Sequence, residues 1–203
     1  LGRSPATQRT VQNLRSTPIN IADTPRTPIH DNDAACSPPD AIRRLVDDDP
    51  QSPCLAAVAN VYRDLEWFES SKSHTPYAEI IGPTSLIRNL EFRFGLFLLY
   101  PDITYSDHRH AADEVYIVLA GAGEWSLGRG PYRMKRPGAI IDIPSMTVHA
   151  MRTAREPTLM LFSWTGPDIS FDSYRRSNLN HQSRYRDFSV ARSQPSNFGQ
   201  TTL

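Results

Sequence analysis

Cysteine is nearly absent. Cys36 and Cys54 are the only two in 203 residues, too few for a disulfide scaffold, so a reducing compartment is favoured over a stapled extracellular fold. Net charge is also missing: 22 basic residues balance 22 acidic ones, so no global field exists to draw in nucleic acid or an anionic membrane. No run approaches the roughly 18 apolar residues of a membrane span, and the first residues lack the apolar stretch of about 7–15 that a secretory leader carries. These absences predict a cytoplasmic protein with no membrane and no nucleic-acid partner. Residue 1 is Leu, so the reading applies only to the residues present. No internal period appears, which excludes solenoids and propellers.

What is present divides by composition. Residues 1–36 are rich in Thr, Pro, Arg and Asn with no helical or strand period, and read as a poorly ordered arm. Residues 37–83 read as a helical segment packed on a barrel. Ser37 is the expected N-cap with Pro38 at the first helical position, and Ile42, Leu45 and Val46 recur at helical spacing. After Pro50 and Pro53, the spacing of Leu55, Val58, Val61, Tyr62, Leu65 and Phe68 predicts a second amphipathic helix.

From about residue 84 the apolar period falls to two, as in Leu90, Phe92, Phe94, Leu96 and Leu98. Short apolar segments at 91–100, 113–119, 123–127, 139–143, 148–152 and 158–164, joined by Gly and Pro, predict an antiparallel barrel or sandwich over residues 84–170. The fold class is therefore all-β with N-terminal helices. Residues 171–203 turn polar, with Arg175, Arg176, Arg184 and Arg186 as the densest basic stretch, and read as a loosely packed tail.

The chemistry concentrates in residues 108–116, HRHAADEVY, where His108, His110, Glu114 and Tyr116 all occupy even positions. In an extended strand these four side chains share one face, and two imidazoles with a carboxylate make three-quarters of a divalent metal site. His149 is the candidate fourth ligand from a neighbouring strand. Three of the six histidines fall in this set, while His30, His74 and His181 lie in loop-like or tail-like segments.

These residues resemble the first motif of the cupin superfamily, G(x)5HxH(x)3-4E(x)6G, through His108, His110, Glu114 and Gly121, with Asp102 in place of the leading Gly. The second motif, G(x)5PxG(x)2H(x)3N, is similar at Gly138, Pro144 and His149; Met146 replaces its second Gly and Thr153 its closing Asn. The resemblance covers about residues 90–165 and implies a cupin barrel, a double-stranded β-helix of the jelly-roll kind, holding one divalent transition metal ion. His108, His110, Glu114 and His149 are its ligands in that reading, and Zn²⁺, Fe²⁺, Mn²⁺ and Ni²⁺ all suit the set.

A narrower likeness is to cupin-type lyases that cleave dimethylsulfoniopropionate to dimethyl sulfide and acrylate. It rests on HxHxxxExY ending at Tyr116, on Tyr105 three residues before the first His, on HAMRT at 149–153, and on Trp164 closing LMLFSW. The likeness implies a β-elimination on a zwitterionic sulfonium carboxylate, with Tyr116 as general base and Tyr105 and Trp164 as aromatic faces for the sulfonium. Trp164 also completes an alternation with Met160 and Phe162 that is ordinary for a barrel core. Two other functions share the ligand set: an Fe(II)-dependent cupin dioxygenase, and a non-catalytic cupin in which the metal only anchors a bound ligand. A homodimer is compatible with the fold.

Overall fold

Each of the six apolar segments forms a strand. The computed structural model describes residues 4–19, 33–36, 39–70 and 73–176. In chain order the elements are α1 (Pro5–Ser16), β1 (Asp33–Cys36), α2 (Asp40–Asp48), α3 (Pro53–Ala59), β2 (Trp67–Ser70), β3 (Pro76–Gly82), β4 (Ile87–Arg88), β5 (Arg93–Leu99), β6 (Thr104–Arg109), β7 (Asp113–Gly121), β8 (Gly123–Leu127), β9 (Arg133–Lys135), β10 (Ile140–Ile143), β11 (His149–Arg152), β12 (Thr158–Thr165) and, after a 3-10 turn at Phe171–Ser173, β13 (Arg175–Arg176).

Two sheets enclose the core. The larger runs β1-β2-β3-β5-β12-β7-β10 with β4 beside β3, and the smaller β13-β6-β11-β8-β9; every pairing is antiparallel except β3 with β4. Alternate residues of the large sheet face inward. Phe97, Leu99, Tyr116, Val118, Met160, Phe162 and Trp164 join Trp125 and Met151 of the small sheet between the two layers. Leu96, Leu98, Leu119 and Leu159 face out, where Ile42 of α2 and Leu55 and Val58 of α3 cover them. Burial of each such side chain is worth about 2 kcal/mol. Because both faces are covered, β5 reads as a nearly unbroken apolar run. No helix among the described residues is long and apolar enough to cross a membrane.

Several expectations change. Residues 5–16 of the supposed arm form α1, capped by Ser4, whose side chain accepts from the Thr7 amide with Pro5 at the first position. Its docking is polar, which an apolar period cannot reveal. Thr7 Oγ1 donates to Asp142 Oδ1 at 2.8 Å, Thr10 and Ser163 hydroxyls meet at 2.7 Å, and Arg9 pairs with Asp113 at 2.5 Å. Ser37 and Pro38 lie outside the described residues, and α2 opens at Asp40 behind Pro39. The second helix stops at Ala59, and Phe68 lies on β2, which pairs with β3. The Trp67 indole donates to the Tyr62 carbonyl at 2.7 Å and closes the turn between them. Leu90 is exposed ahead of β5. Of the polar tail, residues 171–176 pack on the barrel, while Arg184, Arg186 and the rest of 177–203 lie outside the described residues.

Candidate metal centre

The segment 108–116 is not one strand. β6 ends at Arg109, the chain crosses from the small sheet to the large one at Ala111–Ala112, and β7 begins at Asp113. Parity therefore does not align His108 with Glu114. They meet because the inner faces of two opposed sheets share one interior. His108 lies directly across from His149, the first residue of β11, and Glu114 lies between Ile143 of β10 and Trp164 of β12. A bulge in β6 places Tyr105 opposite Met151, so three residues of β6 span two of β11. That extra residue lets Tyr105 and His108, at odd spacing, line the same interior, with ring centroids 4.5 Å apart.

Backbone carbonyls orient all three imidazoles. Nδ1 of His108 meets the Ser106 carbonyl at 2.8 Å, Nδ1 of His110 that of Ala112 at 3.1 Å, and Nδ1 of His149 that of Thr147 at 2.9 Å. Each contact makes Nδ1 the proton-bearing nitrogen and turns the Nε2 lone pair inward. His108, His110 and His149 thus form a fully buried group whose ligand atoms lie within 4.8 Å of one another, and it could hold a metal ion.

Glu114 stands beside them. Its Oε2 is 3.2 Å from Nε2 of both His110 and His149, and its Oε1 accepts the Trp164 indole N–H at 2.8 Å. The buried His149 Nε2 nonetheless makes no hydrogen bond of good geometry, which is the condition of a nitrogen placed for coordination. Burial works against the Glu114 charge, but His110 and His149, in their protonated form, outweigh it and hold the carboxyl well below its usual range. Burial, reinforced by His149, holds His108 well below the ordinary imidazole value, so its lone pair stays available.

Tyr116 lies two residues beyond Glu114 on the inner face of β7, opposite Phe162 and Ile141 and in edge contact with Phe97. Burial and then the Glu114 carboxylate push its phenol well above the ordinary value. Tyr105 is raised likewise, by burial and then by Tyr174, whose hydroxyl oxygen lies 3.2 Å from its own. Trp164 is 5% exposed, its ring 4.1 Å from His110 and 4.6 Å from Phe171. All seven residues singled out from the sequence surround one interior.

The sequence reading misses the wall that follows β12. Tyr174 stacks on His108 at 5.2 Å, Phe171 covers Trp164, and Ser173 Oγ accepts the Ala111 amide at 3.0 Å. The available signal was FDSY, two aromatics within an otherwise polar stretch.

A two-sheet barrel of this kind, with a buried histidine cluster between its layers, belongs to the cupin fold class. Within that class, the family model for dimethylsulfoniopropionate lyase matches residues 41–160, over half of the chain. The chain belongs to the dimethylsulfoniopropionate lyase family. It is similar to dimethylsulfoniopropionate lyase DddQ of Ruegeria pomeroyi, 39% identical over 62 residues, which span 30% of this chain and 31% of that protein. The crystal structure of DMSP lyase DddQ from the same organism superposes with a TM-score of 0.60 at 20% identity over 86% of this chain and 98% of that one. A chain from crystal structures of the DMSP lyases RdDddP and RnDddQII gives a TM-score of 0.59 at 23% identity over 85% and 97%.

Proposed function

We propose that this chain is a metal-dependent carbon–sulfur lyase that cleaves dimethylsulfoniopropionate by β-elimination to dimethyl sulfide and acrylate. The observation that carries the reading is the buried convergence of three backbone-oriented imidazoles, two of them 3.2 Å from the Glu114 carboxylate, in a family defined by this substrate. His108, His110, Glu114 and His149 are the ligands, a set that leaves coordination positions for a substrate. A divalent ion held there would supply Lewis-acid stabilisation of negative charge at the substrate carboxylate and offset the Glu114 charge that raises the Tyr116 phenol.

The protein residues divide the remaining work. Tyr116, as its phenolate, accepts the proton from the carbon beside the carboxylate and becomes the phenol; that C–H electron pair becomes the new double bond as the carbon–sulfur bond breaks and its pair leaves on sulfur. Tyr105 and Trp164 offer aromatic faces to the sulfonium, a cation with no hydrogen-bond donor. The buried setting limits competing water.

The test is a headspace assay on purified protein supplied in turn with Zn²⁺, Fe²⁺, Mn²⁺ and Ni²⁺. Dimethyl sulfide and acrylate should form in equal amounts, at the same rate without oxygen. No release with any of the four ions removes the lyase reading, and substrate-dependent oxygen uptake would replace it with a dioxygenase.

A further inference from the structure

A charged side chain buried in a sheet is costly, and the large sheet holds a pair. Arg93 opens β5 at 7% exposure and Glu79 lies on adjacent β3 at 6%. Arg93 Nη1 donates to Glu79 Oε2 at 2.6 Å, and Ser85 Oγ donates to the other carboxylate oxygen. A buried ion pair rarely outperforms apolar packing in net stability, so stability alone does not account for it.

The rest of the guanidinium points to a second task. Arg93 Nε donates to the Ile169 carbonyl at 2.9 Å, and Cζ lies 4.5 Å from the centre of the Phe171 ring. Both partners belong to the wall that follows β12. Downstream, Phe171 packs on Trp164, whose N–H holds Glu114; Ser173 holds Ala111, next to His110; and Tyr174 stacks on His108 and bonds Tyr105. One end of the wall is fastened to Arg93, and its other contacts reach the histidine cluster and the aromatic faces.

We propose that Arg93 is a positioning residue that fixes Ile169–Tyr174 as the inner wall of the substrate pocket, with Glu79 and Ser85 holding the guanidinium in place. The kinetic part rests on the lyase reading; the proteolytic part does not.

Arg93→Lys tests it. The ammonium keeps a charge opposite Glu79 but lacks the planar fork that serves Glu79, the Ile169 carbonyl and the Phe171 ring together. Metal content should be unchanged, while KM for dimethylsulfoniopropionate rises about tenfold with a smaller change in kcat, the scale of one or two lost cation–ring contacts. Trypsin should cut faster after Arg175 and Arg176, read by product mass. Phe171→Ala leaves the buried pair intact and should move both readouts the same way, and the double variant should be less than additive because the two act on one segment. If Arg93→Lys does not fold, Phe171→Ala decides alone. Unchanged cleavage at Arg175 and Arg176 overturns the clamp, whatever the turnover. Faster cleavage with unchanged KM overturns the wall's role toward substrate. A wild-type protein without turnover removes the lyase reading and leaves the cleavage comparison to decide the clamp.

Discussion

At Tyr116 the phenol oxygen can be separated from the ring that carries it. The ring packs on Phe97 and lies near Trp125, and Tyr116→Phe keeps those contacts while removing the only atom able to take a proton. Release of dimethyl sulfide should fall by about 10²-fold or more, the usual scale for a lost general base, in kcat rather than KM and with metal content unchanged. Near-wild-type release would take Tyr116 out of the mechanism. Trp164 makes the complementary case, because its N–H orients Glu114 rather than meeting solvent. Trp164→Phe retains an aromatic ring but frees Glu114 Oε1, and metal affinity, measured by chelator competition, should weaken about 10–100-fold. An unchanged affinity would make that hydrogen bond incidental. The proposed ligands were legible because spacing and residue type express them: two His, a Glu and a later His after a proline. Arg93, Phe171 and Tyr174 were not, since their roles arise from contacts across distant strands that no local pattern encodes.

Among the elements, the turns explain why two departures from the cupin motifs leave the site in place. Asp102 and Met146 replace motif glycines, and both adopt left-handed backbone, with φ of 57° and 59°. Asp tolerates that region through its short polar side chain, whereas Met adopts it only at a cost in strain. The Met146 turn is held by its amide donating to the His110 carbonyl at 2.8 Å, and it leads into Thr147, whose carbonyl orients His149. Met146→Gly should relieve about 1–2 kcal/mol of left-handed strain. The greater freedom of an unfolded glycine returns roughly 0.5–1 kcal/mol of that. The expected net is a stabilisation of about 0.5–1 kcal/mol, read as a higher urea midpoint with unchanged slope and metal content. A lower midpoint would mean that the half-exposed Met146 side chain contributes packing that outweighs the strain. Strands built from short apolar runs were readable, as β5, β7 and β12 are. α1 was not, because Thr7, Thr10 and Arg9 dock it through hydroxyls and a charge. The second helix was overextended because Tyr62, Leu65 and Phe68 continue its spacing by coincidence while β2 claims Trp67 and Phe68 for the sheet.

For the whole molecule, the question is whether the barrel depends on the ion proposed for its site. One core lies between the sheets and extends beyond the cluster to Leu99, Val118 and Met160; a second lies under α2 and α3, around Ile42, Leu55 and Leu159. Neither requires a metal to exclude water, unlike a zinc finger, whose few apolar residues leave folding to the metal. His149→Ala and Glu114→Ala should therefore lower bound metal well below stoichiometric while the metal-free proteins still unfold cooperatively. Two Glu114 variants should differ in stability. Glu114→Ala leaves the buried Trp164 N–H without its acceptor, at a cost of about 1–3 kcal/mol, whereas Glu114→Gln keeps an oxygen there. At about 2–4 °C per kcal/mol for a chain of this size, Glu114→Ala should melt several degrees below Glu114→Gln in the absence of metal. Added metal should raise the melting temperature of the unmodified protein alone, because only a folded state that binds the ion gains from it. Full metal occupancy in both His149→Ala and Glu114→Ala, by elemental analysis, would defeat the four-ligand site. Loss of cooperative unfolding in the metal-free, unmodified protein would show that the barrel, like a zinc finger, folds around its ion.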